Sequence, residues 1–163
     1  MHLDCCTSKN PYPDGKPRRQ DVRLAQRLFP LWSGGNGELA AISSYCCAAL
    51  QTEAHSPALG EMFEELAQCE LLHFRLLGRL IRDLGAAPVL SPRGGLGMPN
   101  EQVPQRGGIK QALEQHMRRE QAAADTYRYL VTQTEDDAVR ALLMRIAEDE
   151  EYHAAMFARL YRG

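Results

Sequence analysis

Two short stretches of the sequence each place a glutamate and a histidine three residues apart: ELLH, from Glu70 to His73, and EEYH, from Glu150 to His153. Both lie in runs where apolar residues recur every three or four positions, which predicts two amphipathic helices. On such a helix the Glu and the His share the apolar face and point into the core. A buried carboxylate is costly without a partner, and carboxylate oxygens with imidazole nitrogens are donors that suit divalent transition metals.

Two further predicted helices each carry one inward glutamate, Glu38 and Glu120, followed seven residues later by an inward tyrosine. Glu38 precedes Glu70 by 32 residues and Glu120 precedes Glu150 by 30, and both midpoints fall beside predicted turns. Residues equidistant from the turn of an antiparallel hairpin lie at the same level. The sequence therefore predicts that four glutamates and two histidines converge and bind two divalent transition-metal ions.

These residues are carried by four long predicted helices, preceded by an arm without regular structure and a short helix. Residues 86–108, rich in proline and glycine, are predicted to be a long crossover between the second and third long helices, whereas the other links are short. Short, long and short connections describe an all-α, ferritin-like four-helix bundle. We expect the arm and short helix over residues 1–34 and the bundle over 35–163. The short helix is predicted to run from Asp21 to before Pro30 and to be followed by a flexible WSGGNG segment. The first two long helices are predicted over residues 37–53 and from the Ser56-Pro57 cap to Gly85. The last two are predicted over residues 109–132 and from a Thr134–Asp137 capping box to Tyr161.

Composition excludes several classes of protein. The chain has 163 residues and a formal net charge of −2, so nothing favours nucleic acid or anionic membrane as a partner. No apolar run reaches the ~20 residues that span a bilayer, and the N-terminus lacks the apolar core of a secretory signal, so we expect a cytoplasmic location. The five cysteines contain no C-x-x-C pair. We expect the three helical cysteines to be small buried hydrophobic residues, and Cys5 and Cys6 to lie in the arm.

The full set of six residues resembles the ferritin-like dinuclear carboxylate superfamily. The segments GELAAISSY and EELAQCELLHFRLLGRLIRDL are most similar to rubrerythrin-type proteins, manganese catalases and related bacterial spore-coat proteins. The resemblance spans residues 35–161. The sequence departs from rubrerythrins in two ways. It has no pair of C-x-x-C motifs, which would mark a rubredoxin-like domain, and Ala123 occupies a position where rubrerythrins often have a second glutamate.

The resemblance implies an oxidoreductase in which two iron or manganese ions act on peroxide, O2 or Fe(II). It implies that Glu70 and Glu150 bridge the ions and that Glu38 and Glu120 are terminal ligands, so that all four carboxylates are catalytic. His73 and His153 then bind one ion each. Two alternatives remain at this point: a metal-binding or structural protein without turnover, and a helical interaction module without metal.

Residues beyond the six ligands carry weaker expectations. The matched tyrosines, Tyr45 and Tyr127, are expected to hydrogen-bond the metal-bound carboxylates. A further carboxylate is expected to support the histidines, and three residues are candidates for it. Cys69 is expected to pack in the core, and His116 is expected to lie on a helix surface or flank. A homodimer is expected from the resemblance, with weak support from apolar residues outside the inward stripes. The three carboxylate candidates are Asp149, Glu64 and Glu65, and the apolar residues are Phe74, Leu130 and Met156.

Overall fold

The computed structural model describes Thr7, residues 10–90 and residues 108–163, and every regular element in these ranges is an α-helix. Most of the crossover predicted over residues 86–108, together with Cys5 and Cys6, lies outside the described residues. No helix in the described ranges is long and apolar enough to cross a membrane. The helices are α1 (Val22–Ser33), α2 (Glu38–Thr52), α3 (Pro57–Asp83), α4 (Gly108–Val131) and α5 (Asp137–Arg162).

Two helical hairpins form the bundle: α2 packs against α3, and α4 packs against α5. Short turns join the helices within each hairpin, so the partners are antiparallel. Helix α1 packs mainly on α3 and also touches α2. The four long helices match the predicted ones within about two residues, which is the usual uncertainty of a helix end.

The apolar core forms two clusters, and the inward carboxylates and histidines lie between them. One cluster joins α1 to α3, α4 and α5 through residues such as Leu28, Leu77 and Leu143. The other is aromatic and centres on Tyr45, Phe63 and Phe157. A fully buried Leu or Phe side chain contributes roughly 1.5–3 kcal/mol. The two clusters can therefore hold a polar layer that would be unfavourable by itself.

Helix α1 differs from its predicted extent because it continues past Pro30 to Ser33. The proline removes one backbone hydrogen-bond donor. However, Leu31 and Trp32, which follow it, are buried. The Trp32 indole also donates a hydrogen bond to the Phe74 carbonyl at 3.0 Å. The Trp32 ring also stacks on Phe74 with 4.9 Å between centroids. Tertiary packing therefore carries the helix past the proline, and the predicted flexible segment begins only after Ser33.

The start of α5 and the end of α3 show how local signals set helix ends. Asp136, and not Thr134, caps α5, because its carboxylate accepts hydrogen bonds from the backbone N–H groups of Ala138 and Val139. The predicted Thr134 cap is therefore wrong by two residues. Helix α3 ends just before Gly85, as predicted; this glycine has φ of +96°, a conformation that favours glycine.

The residues before α1 lie along α5 as an extended strap, which we define as residues 10–20. The Arg18 backbone N–H donates to Asp136 Oδ2 at 2.6 Å, and the Arg18 guanidinium pairs with Asp137 at 2.8 Å. Gly15 has a φ of +64° and packs against Leu142; a Cβ atom at this position would lie 2.2 Å from the Leu142 side chain. The strap has no helix or strand, as predicted, yet it is fixed along its length. The boundary near residue 34 stays a prediction.

Some side chains do not lie where the sequence pattern puts them. Cys46 and Cys47 are exposed, so the prediction of three buried helical cysteines holds only for Cys69. Leu160, at the end of the α5 stripe, is 40% exposed. Leu130 is buried in the core of this chain and so does not support the expected homodimer, whereas Phe74 stacks on Trp32 and is only partly buried. The homodimer itself stays a prediction.

Candidate metal centre

All six predicted ligands are buried at the centre of the bundle, and each helix of the two hairpins contributes to them. Glu38 is the first residue of α2, where the helix dipole favours a carboxylate. Helix α4 contributes Glu120, while α3 and α5 each contribute a Glu and a His from one face. The residues of these two Glu-His pairs are at most 1% exposed. The structure thus brings together side chains that lie up to about a hundred residues apart in the chain.

The first half of the site is organised around His73. Its Nδ1 atom lies 3.0 Å from Glu150 Oε1, 3.2 Å from Glu70 Oε2 and 3.7 Å from Glu38 Oε2. Donor atoms of these four residues lie within 4.8 Å of one another. One nitrogen and three carboxylates therefore surround a common point.

The second half is organised in the same way around His153. Its Nδ1 atom lies 3.0 Å from Glu70 Oε1, 3.5 Å from Glu150 Oε2 and 3.7 Å from Glu120 Oε2. Glu70 and Glu150 belong to both halves, whereas Glu38 and Glu120 belong to one each. This is the arrangement that two ions need if they share two carboxylates.

The donor set fits a pair of divalent cations. Glu70 Oε1 and Glu150 Oε1 are buried and accept no hydrogen bond of good geometry from any described residue, although each lies 3.0 Å from a histidine nitrogen. Buried polar atoms almost always have a partner, so these oxygens converge on positions where a ligand is required. Four carboxylates match the charge of two divalent ions, and hard oxygen with imidazole nitrogen suits iron, manganese or zinc.

The electrostatics of the protein atoms alone lead to the same conclusion. Burial, together with the charge of Glu70, raises the pKa of Glu38 to about 8. Burial and the neighbouring carboxylates also raise the pKa of Glu150 well above its usual range. Burial opposes ionisation of Glu70 too, but the adjacent imidazoles of His153 and His73 outweigh it and lower the pKa of that carboxyl. Like charges this close are tolerated only with protons or cations among them.

The two matched tyrosines have different surroundings. The Tyr127 hydroxyl donates a hydrogen bond to Glu38 Oε1, across from α4 to α2, as the sequence predicted. Tyr45 instead packs in the aromatic cluster, with ring centroids 5.1 Å from His116 and 6.0 Å from Phe63. In the described part of the chain its hydroxyl makes no hydrogen bond to a carboxylate. The matched spacing of the two tyrosines is therefore not matched by their contacts.

Sequence reasoning left the support of His73 open, and the structure identifies it. Asp149 Oδ2 lies 3.1 Å from His73 Nε2, which makes Asp149 a supporting carboxylate of this histidine. The Tyr12 hydroxyl donates to the same oxygen, and Arg145 Nη1 pairs with it at 2.5 Å. Burial would raise the pKa of Asp149, but these donors outweigh it and lower the pKa to about 2.

Of these supporting residues, only Asp149 gave a signal in the sequence, because it directly precedes the ligand Glu150. Tyr12 lies in a polar, proline-rich segment with no periodicity, so nothing marked it. Cys69, expected only to pack, is buried with Sγ 3.6 Å from His73 Nε2; burial would raise the pKa of its thiol, but His73 and His153 outweigh it and lower that pKa. Its position directly before Glu70 corresponds to that of Asp149 before Glu150.

A small cavity of about 30 Å³, room for one water-sized molecule, adjoins the site between α2 and α4. All four glutamates line it, together with Tyr45 and the buried His116. The expectation that His116 lies on the surface or flank is wrong: it is 6% exposed, and burial lowers the pKa of its imidazole to about 4. Neutral His116 therefore faces the same space as the carboxylates.

Comparison with known proteins identifies the family. The rubrerythrin family model matches residues 33–161, which is most of the chain. The chain belongs to the rubrerythrin family. It is similar to two crystal structures of KatB, a manganese catalase from Anabaena, with a TM-score of 0.79 and 21% identity over 95% of this chain and 78% of that one. This similarity confirms the predicted ferritin-like bundle.

A curated relative of this rubrerythrin-family chain comes from Bacillus subtilis. It is an uncharacterized protein, YhjR, which is 26% identical over 146 residues, or 90% of this chain and 92% of that protein. The relative is thus similar along nearly its whole length.

Proposed function

We propose that this protein is an oxidoreductase that binds two iron or manganese ions and breaks down hydrogen peroxide. One observation carries the proposal: two four-residue donor clusters share Glu70 and Glu150 and adjoin a cavity that holds one small molecule. Membership of the rubrerythrin family supports a dinuclear site, and the likeness to a manganese catalase supports peroxide as the substrate. Disproportionation, 2 H2O2 → 2 H2O + O2, supplies its own oxidant and reductant.

The protein's part is to hold the ions and exclude competing ligands. Glu70 and Glu150 would be shared by the two ions, Glu38 and Glu120 would each help to hold one of them, and His73 and His153 would each contribute Nδ1. When bound, the two ions supply a two-electron couple and open coordination positions for peroxide. Carboxylates suit this task because they bind through one or two oxygens as the charge to be balanced changes.

Side chains around the cavity supply proton sites and a barrier to bulk water. The Tyr127 hydroxyl donates to Glu38 and so holds that carboxylate in one orientation. His116 lines the cavity as a neutral imidazole and can donate or accept a hydrogen bond from a molecule there. The aromatic rings of Tyr45, Phe63 and Phe157 pack behind it. A cavity of about 30 Å³ suits a molecule as small as peroxide or O2.

The test begins with metal content. Protein purified without chelators is analysed by mass spectrometry for iron, manganese and zinc, then loaded with Mn(II) or Fe(II) and mixed with H2O2. We expect two ions per chain and O2 evolution well above that of the same ions free in buffer. The Glu70→Gln variant is the matched control, because it removes a carboxylate shared by both positions while keeping the side-chain volume.

Each other outcome contradicts a defined part of the proposal. Two bound ions without peroxide loss would favour a metal-binding protein without turnover. Oxidation of Fe(II) by O2 without peroxide loss would assign the substrate differently. Protein that binds no iron, manganese or zinc would contradict the dinuclear site itself.

A further inference from the structure

Two cavities meet beside the candidate metal centre. The small cavity of about 30 Å³ is lined by all four glutamates. A larger and more open cavity, of about 640 Å³, lies between α1 and α4. Four residues line both cavities and therefore form the boundary between them: Leu31, Asn36, Arg119 and Ala123. We call these four residues the neck.

One side of the neck is held by the tight turn that joins α1 to α2. Leu31 lies near the end of α1, and Asn36 lies in the turn that leads to Glu38. The Gly37 backbone N–H donates to the Gly34 carbonyl at 3.0 Å. A Cβ atom on Gly37 would lie 2.2 Å from the Leu31 carbonyl oxygen, so the turn packs closely against the helix end. This side of the neck is therefore fixed in position relative to Glu38.

The other side of the neck is one face of α4. Arg119 and Ala123 are four residues apart, so they are neighbours on the helix surface, and Glu120 lies between them in sequence. Both neck residues are partly buried, whereas Ala122 is exposed and lines the larger cavity only. Ala123 has the smallest side chain of the four neck residues. A larger side chain at this position would narrow the boundary between the cavities.

The other sides of the site are filled by described side chains. Tyr12, Asp149 and Arg145 pack together beside His73 on the side of α3 and α5. The aromatic cluster lies at one end of the polar layer, and the leucine-rich cluster lies at the other. In contrast, α2 and α4 pack less closely on each other than on their hairpin partners. The space beside the glutamates lies at this α2–α4 seam, where the neck is found.

We infer that peroxide and other small molecules reach the metal centre from the larger cavity through the neck, and that Ala123 is a specificity-determining residue because its methyl group sets the width of this passage. The inference rests on the proposed dinuclear site and goes beyond it, because that site alone requires no particular route. A side chain that narrows a passage slows entry and exit equally. It leaves the affinity unchanged, because affinity depends only on the bound and free states.

The test uses azide, a small anion that binds metal ions at open coordination positions and is not consumed. Its binding to the oxidised, iron-loaded full chain is followed by stopped-flow absorbance. Ala123→Leu should lower both the association and the dissociation rate by about tenfold or more, because the added side chain must move before azide can pass. The dissociation constant should stay within about twofold. Ala123→Val should lower both rates by less, and it keeps the test available if the leucine variant does not fold.

Ala122→Leu is the matched control. It adds the same volume one residue away, on an exposed side chain that lines the larger cavity but not the small one. We expect both azide rates to stay within about twofold of those of the unmodified protein, as for most surface substitutions. Nitric oxide, a smaller probe that binds to Fe(II)-loaded protein, should be slowed less by Ala123→Leu than azide is. Metal content and melting temperature, measured on every variant, separate a narrowed passage from a distorted site.

Several results would overturn the inference and leave the dinuclear site standing. Unchanged azide rates in a folded, metal-loaded Ala123→Leu variant would show that small molecules enter elsewhere. A weaker azide affinity at an unchanged association rate would make Ala123 part of the binding site and not of a passage. Equal slowing by Ala122→Leu, or equal slowing of azide and nitric oxide, would contradict the role of Ala123 in setting the width. Absence of any bound ion in the unmodified protein would contradict the proposed site and the route together.

Discussion

The two halves of the candidate site repeat the same residue types, and the described contacts around them differ. Glu38 with His73 and Glu120 with His153 repeat at an offset of about 80 residues, and both halves share the central glutamates. Behind His73 lies an ionised carboxylate fixed by an arginine and by the strap. The thiol of Cys69 also lies on this side, 3.6 Å from His73 Nε2.

The same contrast holds for the matched tyrosines, since Tyr127 contacts Glu38 and Tyr45 does not contact Glu120 in any described hydrogen bond. The His73 half is therefore held by polar contacts, and the side of the cavity occupied by Tyr45 and His116 is aromatic. A repeated sequence thus preserves the metal-binding groups while the groups around them diverge. Helix geometry brings the candidate ligands together, and the neighbouring side chains determine the surroundings of each one separately.

The largest expected effect comes from removing what the halves share. Glu70→Gln takes a charged oxygen pair from both clusters at once, so we expect the metal content to fall from about two ions per chain to near none. The measurement is metal analysis after gel filtration. Because Glu70 is the ionised carboxylate between His73 and His153, the substitution also removes their buried partner, and the metal-free variant should be less stable to heat than the unmodified protein.

Matched changes in the terminal ligands should separate the halves. Glu38→Gln and Glu120→Gln each remove a ligand of one cluster only, so each variant should retain about one ion per chain. Metal analysis gives the number of ions, and competition with a metal-binding dye gives the affinity of the remaining one. A variant that keeps two ions, or none, would contradict the assignment of each terminal glutamate to one half.

The convergence of the six candidate ligands was predictable from sequence because helical periodicity and hairpin geometry determine it. Glu70 and His73 share a face at a spacing of three, and residues equidistant from a turn meet at one level. The same logic gave the helix ends that Pro57 and Gly85 mark. It failed at Pro30, where the packing of Trp32 on α3 carries the helix through the proline.

The surroundings of the ligands were not predictable, because they depend on contacts without a period. Tyr12 lies in an irregular segment, and only the folded path of the strap brings it to Asp149. The equal offsets of Tyr45 and Tyr127 predicted equal contacts, but His116 packs beside Tyr45 in the aromatic cluster. Spacing predicts which residues face the core and leaves open which neighbour each one contacts there.

Metal binding at the His73 half should depend on pH. The raised pKa of Glu38, about 8, means that the metal-free site holds a proton there below that pH, and the ion must displace it. Affinity should therefore rise with pH towards about pH 8, by about tenfold per unit for each proton displaced. Titrations of Glu120→Gln between pH 6 and 9 isolate this half. An affinity independent of pH over that range would contradict a protonated Glu38.

The smallest effect should come from the two tyrosines, and it tests the contrast most finely. Tyr127→Phe removes the hydrogen bond to Glu38, so we expect roughly a 2–10-fold weaker ion at the His73 position, the range for one hydrogen bond to a charged group. Tyr45→Phe keeps the ring in the aromatic cluster and should change neither ion by more than about twofold. Both are measured by dye competition in the Glu38→Gln and Glu120→Gln backgrounds. If Tyr45→Phe weakened the ion at the His153 position as strongly as Tyr127→Phe weakens the other, the tyrosines would be equivalent and would not contribute to the contrast.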